Sequence, residues 1–469
     1  MSATTQAPPN PWIGQVPPSP AGPLEDQDVR LPAPPLIPRP RLMQTLQFSL
    51  RQGDFLRRWD RAYGGDVFTL RGMIRGNPAI TSHPDHVRSL FTAQPALAPS
   101  LTGESPLRPI VGPNSTLTAL GDHHMRQRKL LLPPFHGDAV ERYVAMISDV
   151  TEREINRWQT GREFQLAPRM QAITLDVIMS GIFGIEGRPA PGSPEYALRA
   201  AIKVLVRLST TPVAQVSELL NIGRDEPVAG TRAGITLLDK PTYAVIRKRR
   251  ASGAYESGSD ILSMLLRTTT EDGEPLTDSH LRDELLTLVL AGHETTANSL
   301  AWTFERMLRT PAAYERLRDA VRSDEDSAEH VEAAIIEGMR IRPVIPIIGR
   351  RVTVPWRLGR YAVPADTPVA MSILLLHQRE DLYPDPHTFR LERFLGHKPG
   401  TYEWIPFGGG IRRCLGATLA MAEQRVVMEA VMRRVDLVAP DPRPERAVHR
   451  NVTMIPKEGA TVVMRARRP

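Results

Sequence analysis

The one cysteine of the chain stands in a segment that could bind a metal or act on a substrate. Cys414 follows three glycines at 408–410 and precedes a helical pattern over residues 417–435. A cysteine at the start of a helix lies where the helix dipole and free backbone N–H groups stabilise a thiolate. A single cysteine excludes an intramolecular disulfide and any multi-cysteine zinc or iron–sulfur site. An inert buried thiol, a catalytic nucleophile and an axial metal ligand stay open.

The residues around Cys414 form a pattern that a glycine turn alone does not explain. The sequence Phe-x-x-Gly-x-Arg-x-Cys-x-Gly fixes five of ten positions, and a buried thiol would not require the phenylalanine and the arginine. The positions that carry it are Phe407, Gly410, Arg412, Cys414 and Gly416. This stretch resembles the haem-binding loop of the cytochromes P450.

The resemblance implies a role for each position of this loop. Cys414 is expected to be the thiolate ligand of the iron of haem b. Phe407 is expected to pack on the sulfur side of the haem, and Arg412 to reach an anionic propionate. Glycines at 408–410 and Gly416 would let the backbone approach the flat haem without a Cβ clash.

A second segment places polar residues inside an apolar helix. The helical pattern over residues 278–310 contains an apolar run at 285–291, followed by Gly292, His293, Glu294 and Thr295. The apolar run predicts burial, which weakens the alternative of solvent-facing residues with local helix back-bonding. This segment resembles the oxygen-activation motif of the distal P450 helix. The resemblance implies that Gly292 leaves a groove for dioxygen and that Glu294 and Thr295 form an acid–alcohol pair that moves protons.

The ends of this helix and its histidine are further predictions. Asp278 is the predicted N-cap, and the helix ends before Pro311. His293 is a candidate second haem ligand by residue type. A lone histidine is usually structural, so we expect its ring to point away from the haem.

Two further segments match the family in chain order. Glu337 and Arg340 lie at i and i+3 on a predicted helix, so their side chains can pair. Residues 389–394 resemble the family's Pro-Glu-Arg-Phe stretch, with Leu391 in place of the proline. The resemblance implies that Arg393 joins Glu337 and Arg340 in a buried network whose role is structural, because it holds the loop of the cysteine.

The two propionates of a haem require cationic partners. His124 and Arg128 lie at i and i+4 on one helix face, and the guanidinium fork of arginine suits carboxylates. Arg351 competes with its neighbour for one of the roles. By resemblance, the residues expected to bind the propionates are His124, Arg128, Arg350 and Arg412.

The elements that must position these residues are mostly helical. Helical patterns dominate from about residue 41 onward, and short β-like pieces occur at 67–70, 79–81, 351–354 and 461–464. The sequence therefore predicts a mainly α protein with a small β-sheet subdomain. The resemblance implies the cytochrome P450 fold, with haem between the long distal helix and the cysteine loop.

Residues 1–40 differ from the rest of the chain. They hold about a quarter of the 44 prolines and few groups able to form a core. We predict a largely disordered or polyproline-like lead, of which only residues 36–40 pack on the body. Residues 41–469 are predicted to form the catalytic domain.

Charge and hydropathy argue against a nucleic-acid-binding, a secreted or a membrane-spanning protein. Lys and Arg outnumber Asp and Glu by 59 to 52, but the basic residues are dispersed and lack an aromatic platform, so nucleic-acid binding has little support. The N-terminus lacks the pattern of a secretory signal, and no apolar stretch is long enough to span a bilayer. We predict a cytoplasmic, monomeric protein.

The resemblance implies a monooxygenase that inserts one oxygen atom of O2 into a C–H or C=C bond. No nicotinamide- or flavin-binding domain is recognisable, so electrons are expected from a ferredoxin or flavodoxin with its own reductase. The basic residues Arg126, Lys129 and Arg413 are expected to steer this donor.

Four segments are expected to contact substrate: residues 98–118, 288–291 and 344–348, and the pair Met454 and Ile455. All but the first are mostly apolar, which predicts a lipophilic substrate. Fatty acids, steroids, terpenoids and polyketides stay open. Two other functions also stay open: a haem-thiolate peroxygenase, isomerase or dehydratase, and a non-catalytic haem sensor. Neither explains the acid–alcohol pair well.

Overall fold

Helices form about half of the computed structural model, which describes residues 10–24, 31–72, 76–135, 137–185, 187–208, 211, 220–270, 272–450 and 452–468. In chain order the helices are α1 (Arg41–Ala62), α2 (Pro84–Thr92), α3 (Arg108–Val111), α4 (Gly121–Leu131), α5 (Asp138–Ile155), α6 (Leu166–Phe183), α7 (Pro194–Leu208), α8 (Ala229–Ser252), α9 (Ile261–Arg267), α10 (Asp278–Leu308), α11 (Pro311–Ser323), α12 (Ser327–Ile341), α13 (Ile373–Leu376) and α14 (Ala417–Arg434).

The strands are short and form small sheets. In chain order they are β1 (Ala21–Pro23), β2 (Phe68–Thr69), β3 (Ala79–Thr81), β4 (Glu163–Gln165), β5 (Ile347–Val352), β6 (Trp356–Leu358), β7 (Tyr361–Val363), β8 (Thr367–Ser372), β9 (Val435–Val438), β10 (Ala447–Arg450), β11 (Thr453–Pro456) and β12 (Thr461–Arg467). The sheet orders are β2-β3-β8-β5, β4-β12-β9 and β1-β6-β7, and β10 pairs with β11 as a hairpin. The predicted mainly α fold with a small β component is confirmed.

Helix α10 runs through the interior and gives the site its rigid wall. Ala297, Leu300 and Phe304 are fully buried, and the helix packs against α6 on one side and α12 and α14 on another. Its N-cap is Thr277, whose hydroxyl accepts from the backbone N–H of His280 at 3.2 Å. The prediction of Asp278 as N-cap was therefore wrong by one residue, because the threonine hydroxyl reaches the free N–H first.

The helix after the cysteine loop is held by the same core. Val427 and Met428 of α14 are fully buried in one apolar cluster with Ala297 and Leu300 of α10. Because α14 begins three residues after Cys414, this packing fixes the loop opposite the middle of α10. Burial of such side chains is worth about 1.5–3 kcal/mol each.

The N-terminal lead packs against the body wherever the structure describes it. Gly14 N donates to Leu382 O at 2.8 Å, β1 pairs antiparallel with β6, and Ile37 is fully buried. The prediction of disorder was wrong for residues 10–24 and 31–35, because the segment needs no core of its own when the body supplies one. Packing of residues 36–40 is as expected, and residues 1–9 and 25–30 lie outside the described part.

The described helices do not have the properties of membrane spans. Within the described residues, no helix combines the length and the apolar character needed to cross a bilayer. The longest helix, α10, carries acidic and basic side chains along its length.

Candidate active site

A cavity of about 1220 Å³ lies between α10 and the loop that carries Cys414. Apolar side chains form most of its wall, among them Ile178, Leu288 and Ile348. The sulfur side of Cys414 is accessible from this cavity. The thiol therefore faces an internal space large enough for a flat cofactor together with a small molecule.

The surroundings of Cys414 act on its thiol in two directions. Burial within the protein raises the pKa of the thiol, whereas a backbone N–H from Gly416 and the charges of Arg128 and Arg413 lower it. Cys414 N also donates to Phe407 O at 2.9 Å, which fixes the loop. The raised pKa favours the neutral thiol until a metal cation supplies the positive charge that makes it a thiolate.

The glycines of the loop serve packing inside the protein. Gly408 and Gly410 have φ of 63° and 62°, a region that favours glycine. A Cβ on Gly409 would lie 2.2 Å from the Phe91 ring, and one on Gly410 would lie 2.3 Å from Phe91 O. The expectation that the run 408–410 makes room for the haem is thus corrected for Gly409 and Gly410, because it is Phe91 that they accommodate.

Four side chains that can carry a positive charge line the cavity. His124 is buried, and its pKa is lowered to about 4 by burial first and then by Arg412, Arg128 and Arg350. Burial likewise lowers the pKa of Arg350 and of Arg412 to about 10. The mutual effects mean that the predicted propionate-binding residues are neighbours in space, although they come from three separate parts of the chain.

These cations find backbone oxygens but no acid. Arg412 donates to the carbonyls of Thr116 at 3.1 Å, Leu117 and Ala119, and Arg350 donates to Gly349 O at 3.1 Å. Within the described part of the chain, none of the four forms an ion pair with a carboxylate. Buried charges are normally paired, so the cluster fits an anionic ligand such as the two propionates of haem.

Arg351, the other candidate for the propionate-binding role of Arg350, has acidic partners within the chain. Arg351 NH2 lies 2.8 Å from Glu104 Oε1, and its other terminal nitrogen faces Asp366 at 3.5 Å. Arg350, one residue earlier on β5, points to the opposite side and lies with its guanidinium 5.6 Å from the Phe91 ring centre. Arg350 therefore carries the uncompensated charge.

The acid–alcohol pair on α10 also faces the cavity. Thr295 Oγ1 donates to Ala291 O at 2.7 Å, so the threonine does make the helix back-bond, at a residue that lines the cavity. Glu294 Oε1 accepts from Arg450 at 3.1 Å and is 3.5 Å from Thr453 Oγ1. Burial raises the pKa of Glu294, and Arg450 opposes that rise.

Gly292 and His293 face different neighbours. A Cβ on Gly292 would come within 2.6 Å of Ile178 Cδ1, so glycine here lets α6 approach α10. The helix continues without interruption past this glycine. His293 is buried off the cavity wall, where burial lowers its pKa to about 4 and Thr174 Oγ1 donates to its carbonyl at 2.8 Å. The expectation that it points away is confirmed.

A second group of charges lies behind the cysteine loop. Arg340 donates to both carboxylate oxygens of Glu337, at 2.7 and 2.9 Å, and Arg393 Nε lies 3.4 Å from Glu337 Oε2. All three side chains are 0% exposed. Arg393 also donates to Trp12 O of the N-terminal lead. The structure thus brings the three predicted members of the network together.

Known proteins resemble the chain over nearly its whole length. A family model described as Cytochrome P450 matches residues 32–464. The protein named "Putative cytochrome P450 138" of Mycobacterium tuberculosis (strain ATCC 25618 / H37Rv) is 36% identical over 444 residues, covering 94% of this chain and 97% of the relative. "Putative cytochrome P450 135B1" of the same strain is 37% identical over 449 residues, 92% of each chain.

This chain belongs to the cytochrome P450 family. Solved structures agree on the fold: a retinoic acid-bound cyanobacterial CYP120A1 superposes with a TM-score of 0.77 at 23% identity, covering 93% of this chain and 100% of that one. The haem domain of cytochrome P450DA gives 0.77 at 22% identity, with coverages of 94% and 98%. Members of the family bind haem through a cysteine thiolate and are generally monooxygenases, and this chain has one cysteine.

The sequence analysis did not identify two residues of this P450, the partner of Glu294 and a second buried acid at the cavity. Arg450 pairs with Glu294 from 156 positions away, and no local signal marks that pairing. Glu423 of α14 lines the cavity, and burial raises its pKa to about 8. Its Oε1 has no hydrogen-bond partner among the described residues. No local signal in the sequence marks Glu423 as a residue of the cavity.

The cavity wall of this P450 follows the predicted segments with one correction. Residues from 98–118, 288–291 and 344–348 line it as expected. In the hairpin, however, Val452 and Thr453 reach the cavity, whereas Met454 and Ile455 are buried on its other side. The sequence analysis also omitted contributions from α1, α6 and α8.

Proposed function

We propose that the protein is a haem-thiolate monooxygenase that inserts one oxygen atom from O2 into a lipophilic small molecule. The observation that carries the proposal is the shared cavity: the thiol of Cys414 and the pair Glu294–Thr295 face one apolar space. Haem supplies the reductive activation of dioxygen; two electrons and two protons are consumed, and the second oxygen atom leaves as water.

The protein's own residues would hold the cofactor from three directions. Cys414 is the proposed iron ligand, with Phe407 and Gly416 beside the sulfur. His124, Arg128, Arg350 and Arg412 are the proposed propionate partners, and the fact that none of them pairs with a carboxylate among the described residues supports this role. Propionates would raise the pKa of His124 and allow its imidazole to donate.

Protons would reach the cavity through α10. The carboxyl of Glu294 can hold a proton because burial raises its pKa, and the ion pair with Arg450 keeps the group oriented. The hydroxyl of Thr295 donates to Ala291 O at rest and can turn its proton into the cavity. Glu294 is the proposed supplier of the proton, and Thr295 is the proposed donor at the reacting end.

Electrons would come from a separate acidic protein, a ferredoxin or flavodoxin with its reductase. Arg126, Lys129 and Arg413 are exposed on the elements next to Cys414. Reversing these three charges should slow reduction and weaken its salt dependence, as measured by stopped-flow mixing with a donor protein. An unchanged rate would remove the support for this docking site. The cytoplasmic location and the monomeric state stay predictions.

The first experiment is the absorption spectrum of the reduced protein with carbon monoxide. A strongly red-shifted Soret band is expected in the wild type and should be lost in Cys414→Ser. Turnover with a surrogate ferredoxin system should then exceed turnover with hydrogen peroxide alone. The reverse order would favour a peroxygenase, and haem binding with neither turnover would favour a sensor. A ligand library, screened for the spectral change on loss of iron-bound water, addresses the substrate.

A further inference from the structure

The first half of α1 has an inverted arrangement of polar and apolar side chains. The helix bends at Arg51, whose φ of −146° and ψ of 52° are not helical, so residues 41–50 form a segment of their own. Here Gln44 is 2% exposed, whereas Leu42 is 80% and Leu50 is 65% exposed. A polar side chain is therefore inside and leucines are outside, the opposite of an ordinary surface helix.

Hydrogen bonds of Gln44 fix this orientation. Its Nε2 donates to Ile37 O at 3.2 Å and to Arg39 O at 2.8 Å, and its Oε1 accepts from Arg71 N at 3.1 Å. Phe48 faces the cavity from the same segment. Turning the leucines inward would break these three bonds, so the apolar side of the helix stays outward.

The outward side chains form one stripe between positive charges. Positions 42, 43, 46 and 50 lie on one face of a helix, and the side chains of all four are exposed. Arg39, Arg41 and Arg51 are exposed beside them, and no Asp or Glu occurs between Asp28 and Asp54. Apolar residues flanked by arginines are the pattern of a helix that lies in the interface of an anionic bilayer.

The stripe borders the opening of the cavity. Leu208 at the end of α7, Leu237 of α8 and Val452 of the hairpin are exposed and also line the cavity, and α1 packs against β10 of that hairpin. The cavity thus opens among exposed apolar side chains from four elements.

We propose that the face formed by residues 39–51 docks on the surface of an anionic phospholipid bilayer. The leucines would enter the boundary between head groups and acyl chains, and the arginines would contact lipid phosphates. The opening of the cavity would then face the membrane, where lipophilic molecules concentrate. A second copy fits this face less well, because two-fold pairing would bring the same arginines of both copies together. The proposal does not depend on the oxidation chemistry.

The test is flotation of the purified haem-loaded full chain with vesicles. One set contains phosphatidylcholine alone, and the other contains phosphatidylcholine with phosphatidylglycerol. Binding is expected on the anionic vesicles and should fall with added salt. The variant Leu42→Ser/Leu46→Ser/Leu50→Ser should lose at least about 100-fold in partitioning to the anionic vesicles, since each change removes an apolar side chain that would be buried in the bilayer. Each of Arg39→Gln, Arg41→Gln and Arg51→Gln should lose about fivefold.

A matched control carries three polar substitutions at exposed apolar residues elsewhere: Leu132→Ser, Val144→Ser and Tyr196→Ser. It should bind like the wild type. The proposal is overturned if wild type does not bind anionic vesicles, or if the leucine variant binds as well as the control. It is also overturned if light scattering finds a wild-type dimer that the leucine variant abolishes.

A second measurement covers the case in which the leucine variant fails to fold. In Leu46→Trp, the added fluorescence should shift to shorter wavelength on anionic vesicles and be quenched by lipids brominated in the acyl chain. The wild type, with its six tryptophans, supplies the background. An unshifted and unquenched signal would count against insertion of this face.

Discussion

Two groups of charged side chains, the Glu337 network and the cluster at the cavity, differ in how their charges are compensated. Glu337, Arg340 and Arg393 are fully buried, and the carboxylate of Glu337 is bound by both arginines. At the cavity, Arg350 is 6% exposed, yet no described carboxylate pairs with it, and the neighbouring His124 is buried with a lowered pKa. The first group is complete within the chain, whereas the second requires an anion from outside.

This difference separates a structural role from a binding role by the same physical rule. A buried charge is costly unless it is paired and hydrogen-bonded. Where the chain supplies the partner, removing it leaves a stranded charge and harms the fold. Where the ligand supplies the partner, removing the cation harms binding and spares or even helps the empty fold.

The largest expected effect is at the closed network. Glu337→Gln removes the only carboxylate of the group among the described residues and strands Arg340 and Arg393. We expect a loss of about 3–5 kcal/mol in the free energy of unfolding, measured by urea titration. Glu392→Gln is the control, because Glu392 pairs with Arg316 at 2.7 Å on the surface and should cost less than about 1 kcal/mol. Equal losses would contradict the distinction.

The next effect is the pH dependence of the haem-free protein. The folded pKa of His124 is about 4, below its ordinary 6.5, so below pH 6.5 the unfolded chain binds a proton that the folded chain does not. Stability should therefore fall from pH 6.5 toward 4, with His124 contributing up to about 3 kcal/mol. His124→Gln should make this slope shallower, as measured by unfolding at several pH values, while buried histidines such as His293 and His377, whose pKa values are also lowered, keep their own contributions. His330→Gln, at a half-exposed residue, should leave the slope unchanged. Haem should reduce the slope, since propionates stabilise the charged imidazole.

Two neighbouring arginines allow a direct comparison. Arg350→Leu should speed haem transfer to apomyoglobin by about 10–100-fold, because a charge-assisted hydrogen bond is worth roughly 1.5–3 kcal/mol. The same change should leave the haem-free protein equally or more stable. Arg351→Leu breaks the pair with Glu104 and should do the reverse, with lower stability and unchanged haem transfer. Matching effects of the two variants would refute the assignment of the open cluster.

The smallest effect is expected at the ion pair of Glu294 and Arg450, which borders the cavity but finds both partners within the chain. Arg450→Gln should raise the pKa of Glu294 further and increase peroxide released per reduced nicotinamide severalfold, with an altered solvent isotope effect. This is less than the ~100-fold or more that loss of an acid–base group brings. Arg450→Lys, which keeps the charge, should restore most of the coupling. If Arg450→Gln leaves the coupling unchanged, Arg450 has no role in orienting the acid.

The sequence by itself identified the residues whose chemistry is carried by type and spacing. Cys414 with its glycine loop, Glu294 and Thr295 within an apolar helix, and Glu337 with Arg340 one turn apart all depend on local geometry, which the chain order fixes. The mainly helical fold followed for the same reason, since helical periodicity is a local signal. The prediction of disorder was wrong for residues 10–24 and 31–35, because contacts such as those with Leu382 and β6 hold this part of the lead, and composition does not reveal them.

Only the tertiary structure decided which charges are paired. It separated Arg350 from Arg351, brought Arg450 to Glu294, left Glu423 Oε1 without a hydrogen-bond partner among the described residues, and turned the leucines of residues 41–50 outward. Each of these depends on groups tens to hundreds of positions apart that packing brings together. Compensation of charge and exposure of apolar surface are properties of neighbours in space, so a sequence can name the side chain but not its partner.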